Sequence, residues 1–256
     1  MYEMALLDVQ DLRTHYSTLR GSVKAVEDVS FQVEKGKALG LAGESGCGKT
    51  TVALSILKIL PPGGKILDGK ILFNGKDIVK LKENEMRKNV RWKGISIVFQ
   101  GAMNALNPVY KVGDQVVEAI LTHEHGVGKQ DAKDRTGKLL EMVGIDPSRA
   151  SNYPHEFSGG MRQRALIAMS LACNPELLIA DEPGTALDVI VQAQVLKLLK
   201  ELKDKLNLGM ILITHDLSII AEICEDAAIM YAGKIVEYGD IVNIFKDPLH
   251  PYTQGL

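Results

Sequence analysis

The residues Gly43-Glu44-Ser45-Gly46-Cys47-Gly48-Lys49-Thr50 fit the pattern G-x-x-x-x-G-K-[ST] at every fixed position. Glycines at this spacing let the backbone curl until its NH groups surround a phosphate. A lysine then reaches the outer phosphates, and a hydroxyl at the last position ligates Mg2+. Four other places could serve the same chemistry. Gln100 ends an apolar run, where an amide can meet a metal or a water, although a Gln there is more often a plain loop residue. Ser158-Gly159-Gly160-Met161-Arg162 opens a helix whose N-terminus attracts an anion, or is simply a capped helix. Asp181 and Glu182 are adjacent carboxylates, the first suited to Mg2+ and the second to polarising an attacking water. His215 could hydrogen-bond an outer phosphate, although a lone His is usually structural. Cys47, beside a helix N-terminus and Lys49, is expected to carry a reactive thiol that nucleotide would shield. The sum predicts a nucleoside triphosphate site.

Such residues need a sheet edge to hold them. Ala38 to Ala42 reads as a buried strand before the loop, and Thr51 to Leu60 as a helix after it, stopped at Pro61-Pro62-Gly63-Gly64. Ile95 to Phe99, Leu177 to Ala180 and Met210 to Thr214 are three more buried runs, ending at Gln100, Asp181 and His215. Leu6 to Gln10, Lys24 to Val26, Val29 to Val33, and Lys70 to Phe73 with its Asn74-Gly75 turn read as antiparallel strands. Tyr16 falls between the first two, where its ring could stack on a base or equally pack on the sheet. From Val112 to about Ala150 the period is helical. His123 and His125 flank Glu124 there, but Gly126 and Gly128 beside them favour a solvated linker, and no metal site is assigned.

The composition is ordinary for a globular chain: 256 residues, 46% hydrophobic, 24% charged, net charge −2. That balance argues against a broad basic face for nucleic acid. No run reaches the roughly 18 to 20 apolar residues that span a bilayer, and the first 16 residues lack a secretion signal, so a cytosolic chain is expected. Three cysteines without a C-x-x-C pair give no disulfide framework or zinc site, and Cys173 and Cys224 read as small core residues.

In their order these motifs resemble the nucleotide-binding subunits of ABC transporters, over nearly the whole chain. Gly43 to Thr50 is similar to the family's Walker A loop and Gln100 to its Q-loop. Ser158 to Arg162 resembles the signature, Asp181 and Glu182 the Walker B pair, Ala186-Leu187-Asp188 the D-loop, and His215 the switch histidine. The Met-Arg of the signature, Leu106-Asn107-Pro108 and His250-Pro251-Tyr252-Thr253 resemble more narrowly the dipeptide and oligopeptide importers, with nickel or glutathione importers as near alternatives. The resemblance implies an α/β fold with a P-loop core of mostly parallel sheet, an N-terminal antiparallel β layer and a helical insertion. It implies one domain over 1–256: core at 1–100 and 166–240, helical subdomain at 101–165, and a C-terminal extension starting at 241–256. It also implies ATP and Mg2+ as ligands and ATP hydrolysis as the reaction.

By the same resemblance, ATP would contact Tyr16, Gly43 to Thr50 and Thr51; Mg2+ would contact Thr50, Gln100 and Asp181. Lys49, Gln100, Glu182 and His215 would be catalytic. The expected partners are a second ABC subunit supplying its signature, membrane permease subunits gripped by the helical insertion and the segment after Gln100, and, indirectly, an extracytoplasmic solute-binding protein. The expected place is the cytoplasmic face of the cell membrane, without nucleic acid. A DNA- or ribosome-acting ATPase fits less well, since the insertion is short and no basic block is present. A nucleotide-binding regulatory module without catalysis is disfavoured by the full set of Lys49, Asp181, Glu182 and His215. Two departures stand out: Gly184 replaces the usual Thr or Ser, and the chain stops at Leu256 where the subfamily continues, so a truncated end is expected.

Overall fold

The structure, a computed structural model, describes residues 5–101 and 105–256. The chain runs through β1 (Leu7–Thr18), β2 (Gly21–Val33), β3 (Ala38–Ala42), α1 (Lys49–Leu57), β4 (Gly64–Phe73), β5 (Lys76–Asp77) and α2 (Glu83–Glu85). It continues through β6 (Ile95–Val98), α3 (Val112–His123), α4 (Lys129–Met142), α5 (Gly159–Ser170), β7 (Leu177–Asp181) and α6 (Val189–Leu206). It ends with β8 (Gly209–Thr214), α7 (Leu217–Ile223), β9 (Asp226–Tyr231), β10 (Lys234–Asp240), α8 (Ile241–Lys246) and α9 (Pro251–Gly255). Two units result: Met1–Met86 with Lys203–Leu256, and Arg87–Leu202.

In the first unit β1 pairs antiparallel with both β2 and β4, and β5 adds to β4. Asn74 and Gly75 both take positive φ (48° and 75°), as a two-residue hairpin turn that follows the strand twist requires. The two short segments expected over Lys24–Val33 are one strand. Asp28 (φ 54°) and, across on β1, Asp11 (φ 49°) break the alternation, and register shifts accompany them. β3, buried at all five positions, lies between β8 and β9 and is parallel to both. A strand covered on both faces reads as an unbroken apolar run. Gly40 is needed because a Cβ there would overlap Ile220 of α7. α1 is shorter than its apolar run suggests: Lys58 turns left-handed (φ 52°) and its Nζ donates to the carbonyls of Val79 and Leu81, each at 2.7 Å.

In the second unit β6 and β7 are parallel, with Ile95 opposite Leu177 and Val98 opposite Ala180. Helices α3, α4 and α5 supply the helical region, and Leu140, Ile120, Val116 and Ile167 are fully buried there. His123 is not in a solvated linker: it ends α3, half-buried, with its ring stacked on Trp92 at 5.3 Å. Burial, with Arg87 and Lys93 nearby, holds it below the usual His range. Its neighbour Glu124 pairs with Arg135 at 2.7 Å. Among the described residues no helix is long and apolar enough to cross a membrane.

Candidate functional site

In the first unit the phosphate loop leaves the carboxyl end of β3, and the register Ala42 opposite Thr214 puts His215 at the same edge. Gly43, Gly46 and Gly48 take φ of 144°, 82° and 111°, a region that side chains resist. Two of them are also hemmed in: a Cβ on Gly43 would overlap the Met230 carbonyl, and one on Gly48 the Ala25 carbonyl. Gly48 leads into α1, whose N-terminus has no side-chain cap. Its first amides are therefore aimed at whatever the loop encloses. Lys49 is 5% exposed, and its ammonium donates to the Gly43 and Glu44 carbonyls at 2.7 and 2.8 Å. Thr50 is exposed and Thr51 half-buried. Tyr16 lies half-buried on β1 opposite Gly64, with its hydroxyl 3.4 Å from that of Thr51. Cys47 is 6% exposed, and ready alkylation needs the opposite.

In the second unit the parallel register of β6 and β7 brings together residues 82 positions apart: Gln100 Nε2 donates to Glu182 Oε2 at 2.6 Å. Thr185 Oγ1 donates to the same oxygen at 2.9 Å. Glu182 itself has φ 44°, a left-handed conformation that costs a β-carbon-bearing residue energy and recurs at functional sites. Asp181, the last residue of β7, is 1% exposed. Ser158 is the N-cap of α5 and accepts from the Met161 amide. Asp188 Oδ1 accepts from the Val191 amide at 2.9 Å and so caps α6. Gly160, within the signature, would drive a Cβ into Val191, so the first turns of α5 and α6 meet closely there.

Thus loop, Lys49, Thr50, Tyr16 and His215 lie in one unit, and Gln100, Asp181, Glu182, Ser158 to Arg162 and Asp188 in the other. The segment after Gln100, expected to meet a permease, includes 102–104, which lie outside the described residues.

The family model described as ABC transporter matches residues 26–185. The chain belongs to this family. It is similar to the oligopeptide transport ATP-binding protein OppD of Bacillus subtilis, 51% identical over 98% of this chain and 70% of the relative. The dipeptide transport ATP-binding protein DppD of the same organism is 50% identical over 98% and 75%. The OppD of Escherichia coli is 47% identical over 98% and 74%. Among solved structures, cbiO1 of Clostridium perfringens, part of the transporter complex cbiONQ, superposes with a TM-score of 0.80 at 26% identity, over 95% of this chain and 91% of that one. The dimeric ATP-binding cassette MJ0796 bound to ADP and Pi gives 0.80 at 24% identity over 92% and 98%, a likeness of fold. The expected α/β fold with a phosphate-loop core and an antiparallel β layer is therefore the one this ABC chain has.

Sequence reading missed the supports of these motifs. Met230, Ala25 and Gly233 shape the loop, Thr185 orients Glu182, and Val191 sets Gly160. Met230, Ala25, Gly233 and Val191 carry no local signal, since each acts across a contact distant in sequence; Thr185 stands only three residues after Glu182 but belongs to no motif.

Proposed function

We propose that the chain binds ATP at Gly43 to Thr51 and hydrolyses it to ADP and phosphate. As one of a pair of ABC subunits, identical or sister chains, it powers import of di- or oligopeptides through a membrane permease. The names of the peptide-transport relatives support this solute over nickel. The observation that carries the catalytic part is Glu182, a carboxylate just beyond a strand's carboxyl end, gripped by Gln100 and Thr185.

Lys49 exchanges the carbonyls of Gly43 and Glu44 for phosphate oxygens, a swap of acceptors for an ammonium already desolvated. The amides from Gly46 to Thr50 and the start of α1 hold the phosphates, while Tyr16 offers its ring to the adenine. Thr50, Gln100 and Asp181 are the assigned Mg2+ ligands, and a hydroxyl, an amide and a carboxylate fit this hard, oxygen-seeking cation. Mg2+ supplies charge neutralisation at the phosphates when bound. Glu182 orients and polarises the attacking water, and His215 donates to the outer phosphate. Ser158 to Arg162 serve the partner's nucleotide, with Asp188 helping to set that contact. The partners are a second ABC subunit and permease subunits at the cytoplasmic face of the membrane. A solute-binding protein acts indirectly, and no nucleic acid is involved.

Glu182→Gln tests the assignment. Turnover falls roughly 10²- to 10⁴-fold while ATP affinity survives, and ATP-bound dimers accumulate with the natural partner supplied. Hydrolysis at the parental rate would show that Glu182 is not the base.

A further inference from the structure

The last helix reaches the phosphate loop. Tyr252 Oη, in α9, accepts from the Glu44 backbone amide at 3.1 Å, across 208 positions of sequence. Its ring leans on that of Tyr231, with centroids 4.7 Å apart and planes tilted by 46°. Tyr231 is the last residue of β9, and the turn that follows also grips the loop: the Gly233 amide donates to the Cys47 carbonyl at 2.9 Å. The carbonyl of Met230 fills the space that a side chain on Gly43 would need. The loop is thus clasped at Gly43, Glu44 and Cys47 by one hairpin and the helix resting on it.

That helix is itself tied down by polar groups. The Glu237 carboxylate of β10 accepts from the amides of Leu249 and His250 at 2.8 and 3.1 Å. His250 Nδ1 accepts from the Tyr252 amide at 3.1 Å, and Gln254 Nε2 donates to the Pro248 carbonyl at 2.8 Å. Glu237 therefore anchors the segment that carries Tyr252, and Tyr252 anchors the loop.

We infer that Tyr252 is a positioning residue for the phosphate loop, and that docking of residues 248–256 and binding of nucleotide phosphates are reciprocally coupled. The inference rests on the ATP reading above. Glu44 is an exposed residue in a glycine-rich loop, and without an acceptor its peptide plane would sample more orientations. Ordering it would then fall on the ligand and weaken binding, while chemistry after binding, which Tyr252 does not touch, would be unchanged. Reciprocity requires that nucleotide in turn tighten the docked segment.

The test compares MgATP binding by calorimetry, steady-state kinetics, thermal stability and amide exchange for the full chain. Parental protein that binds no MgATP overturns the proposed function and this inference with it. With parental binding established, Tyr252→Phe keeps the ring on Tyr231 and removes only the acceptor. Loss of one such hydrogen bond corresponds to an affinity about 3- to 10-fold weaker and a KM raised alike, with kcat within about 2-fold and folding unchanged. Glu237→Ala, which releases the segment from a different place, gives the same weakening, and the double variant is no weaker than either single one. MgATP slows amide exchange over 249–255 in the parent but not in Tyr252→Phe. Parental affinity in Tyr252→Phe, additive losses in the double variant, exchange indifferent to nucleotide, or an affinity loss only in proportion to lost folded protein would each overturn the inference.

Discussion

The signature helix and the helix after the D-loop meet at Gly160, and replacing it with alanine measures that meeting. Gly160 is buried in the first turn of α5 with ordinary helical backbone, so alanine is allowed conformationally and raises helix propensity by about 1 kcal/mol. The new Cβ, however, would stand closer than 3.0 Å to Val191 Cγ1. Carbon atoms prefer about 3.5–4.0 Å, so the helices or the valine must yield by more than about half an ångström. Overpacking of this kind costs about 1–3 kcal/mol. The net expectation for Gly160→Ala is a loss between about 0 and 2 kcal/mol, a fall of up to several degrees in Tm for a chain of this size. The same crowding predicts its cure. Val191→Ala removes both methyls and leaves its Cβ at 3.7 Å from the new one, an ordinary contact. Alone it costs about 1 kcal/mol; with Gly160→Ala it should recover about 1–3 kcal/mol relative to additivity. Urea denaturation of the four proteins gives the coupling, and ATP turnover shows whether the signature moved. Gly160→Ala that stabilises by the full propensity gain, or effects that add within about 0.5 kcal/mol, would refute the close-packing argument.

Lys49→Ala should abolish measurable ATP binding in calorimetry while far-UV circular dichroism stays parental; retained affinity would remove the lysine from the phosphate site. Asp216 accepts from the amide and hydroxyl of Ser218 at 2.9 and 2.6 Å, and chiefly the hydroxyl bond holds its carboxyl below the usual 3.8. Its contribution is therefore full above pH 3.8 and lost as pH falls through the lower folded value, so the stability gap between parent and Asp216→Asn should shrink on acidification, and a gap constant from about pH 6 to 3 would refute the assignment. Burial pushes the Cys173 thiol up to about 11 and Cys224 higher still. Mass spectrometry after iodoacetamide at pH 8 should find both unmodified in folded protein, and labelling at the rate of a free cysteine would overturn their core placement.

What could be read from the sequence follows from how local the constraint is. The phosphate loop is legible because anion binding, tight turning and helix initiation act on eight consecutive residues, all three of whose glycines have positive φ. The buried strands are legible because a strand covered on both faces needs apolar residues throughout. β2 reads as two segments, Lys24–Val26 and Val29–Val33, because a bulge at Asp28 interrupts alternation without ending pairing. Gln100 and Glu182 are each legible as strand-end residues suited to a metal or a water, but their mutual bond follows only once β6 and β7 are laid side by side in one register.

Gly184 shows the limit most sharply, because it stands out in the sequence as a departure while the contact that surrounds it does not. A missing side chain suggests a looser turn, yet Gly184 is buried, and the space a Cβ would enter is taken by the Gln192 side chain from the second turn of α6. The Gln192 backbone amide donates to the Asp188 carbonyl at 2.8 Å. The turn before the D-loop is therefore packed against the helix that follows it. Glycine at 184 and glutamine at 192 form one steric unit, and such a pair, eight positions apart and outside any motif, can be recognised only by contact.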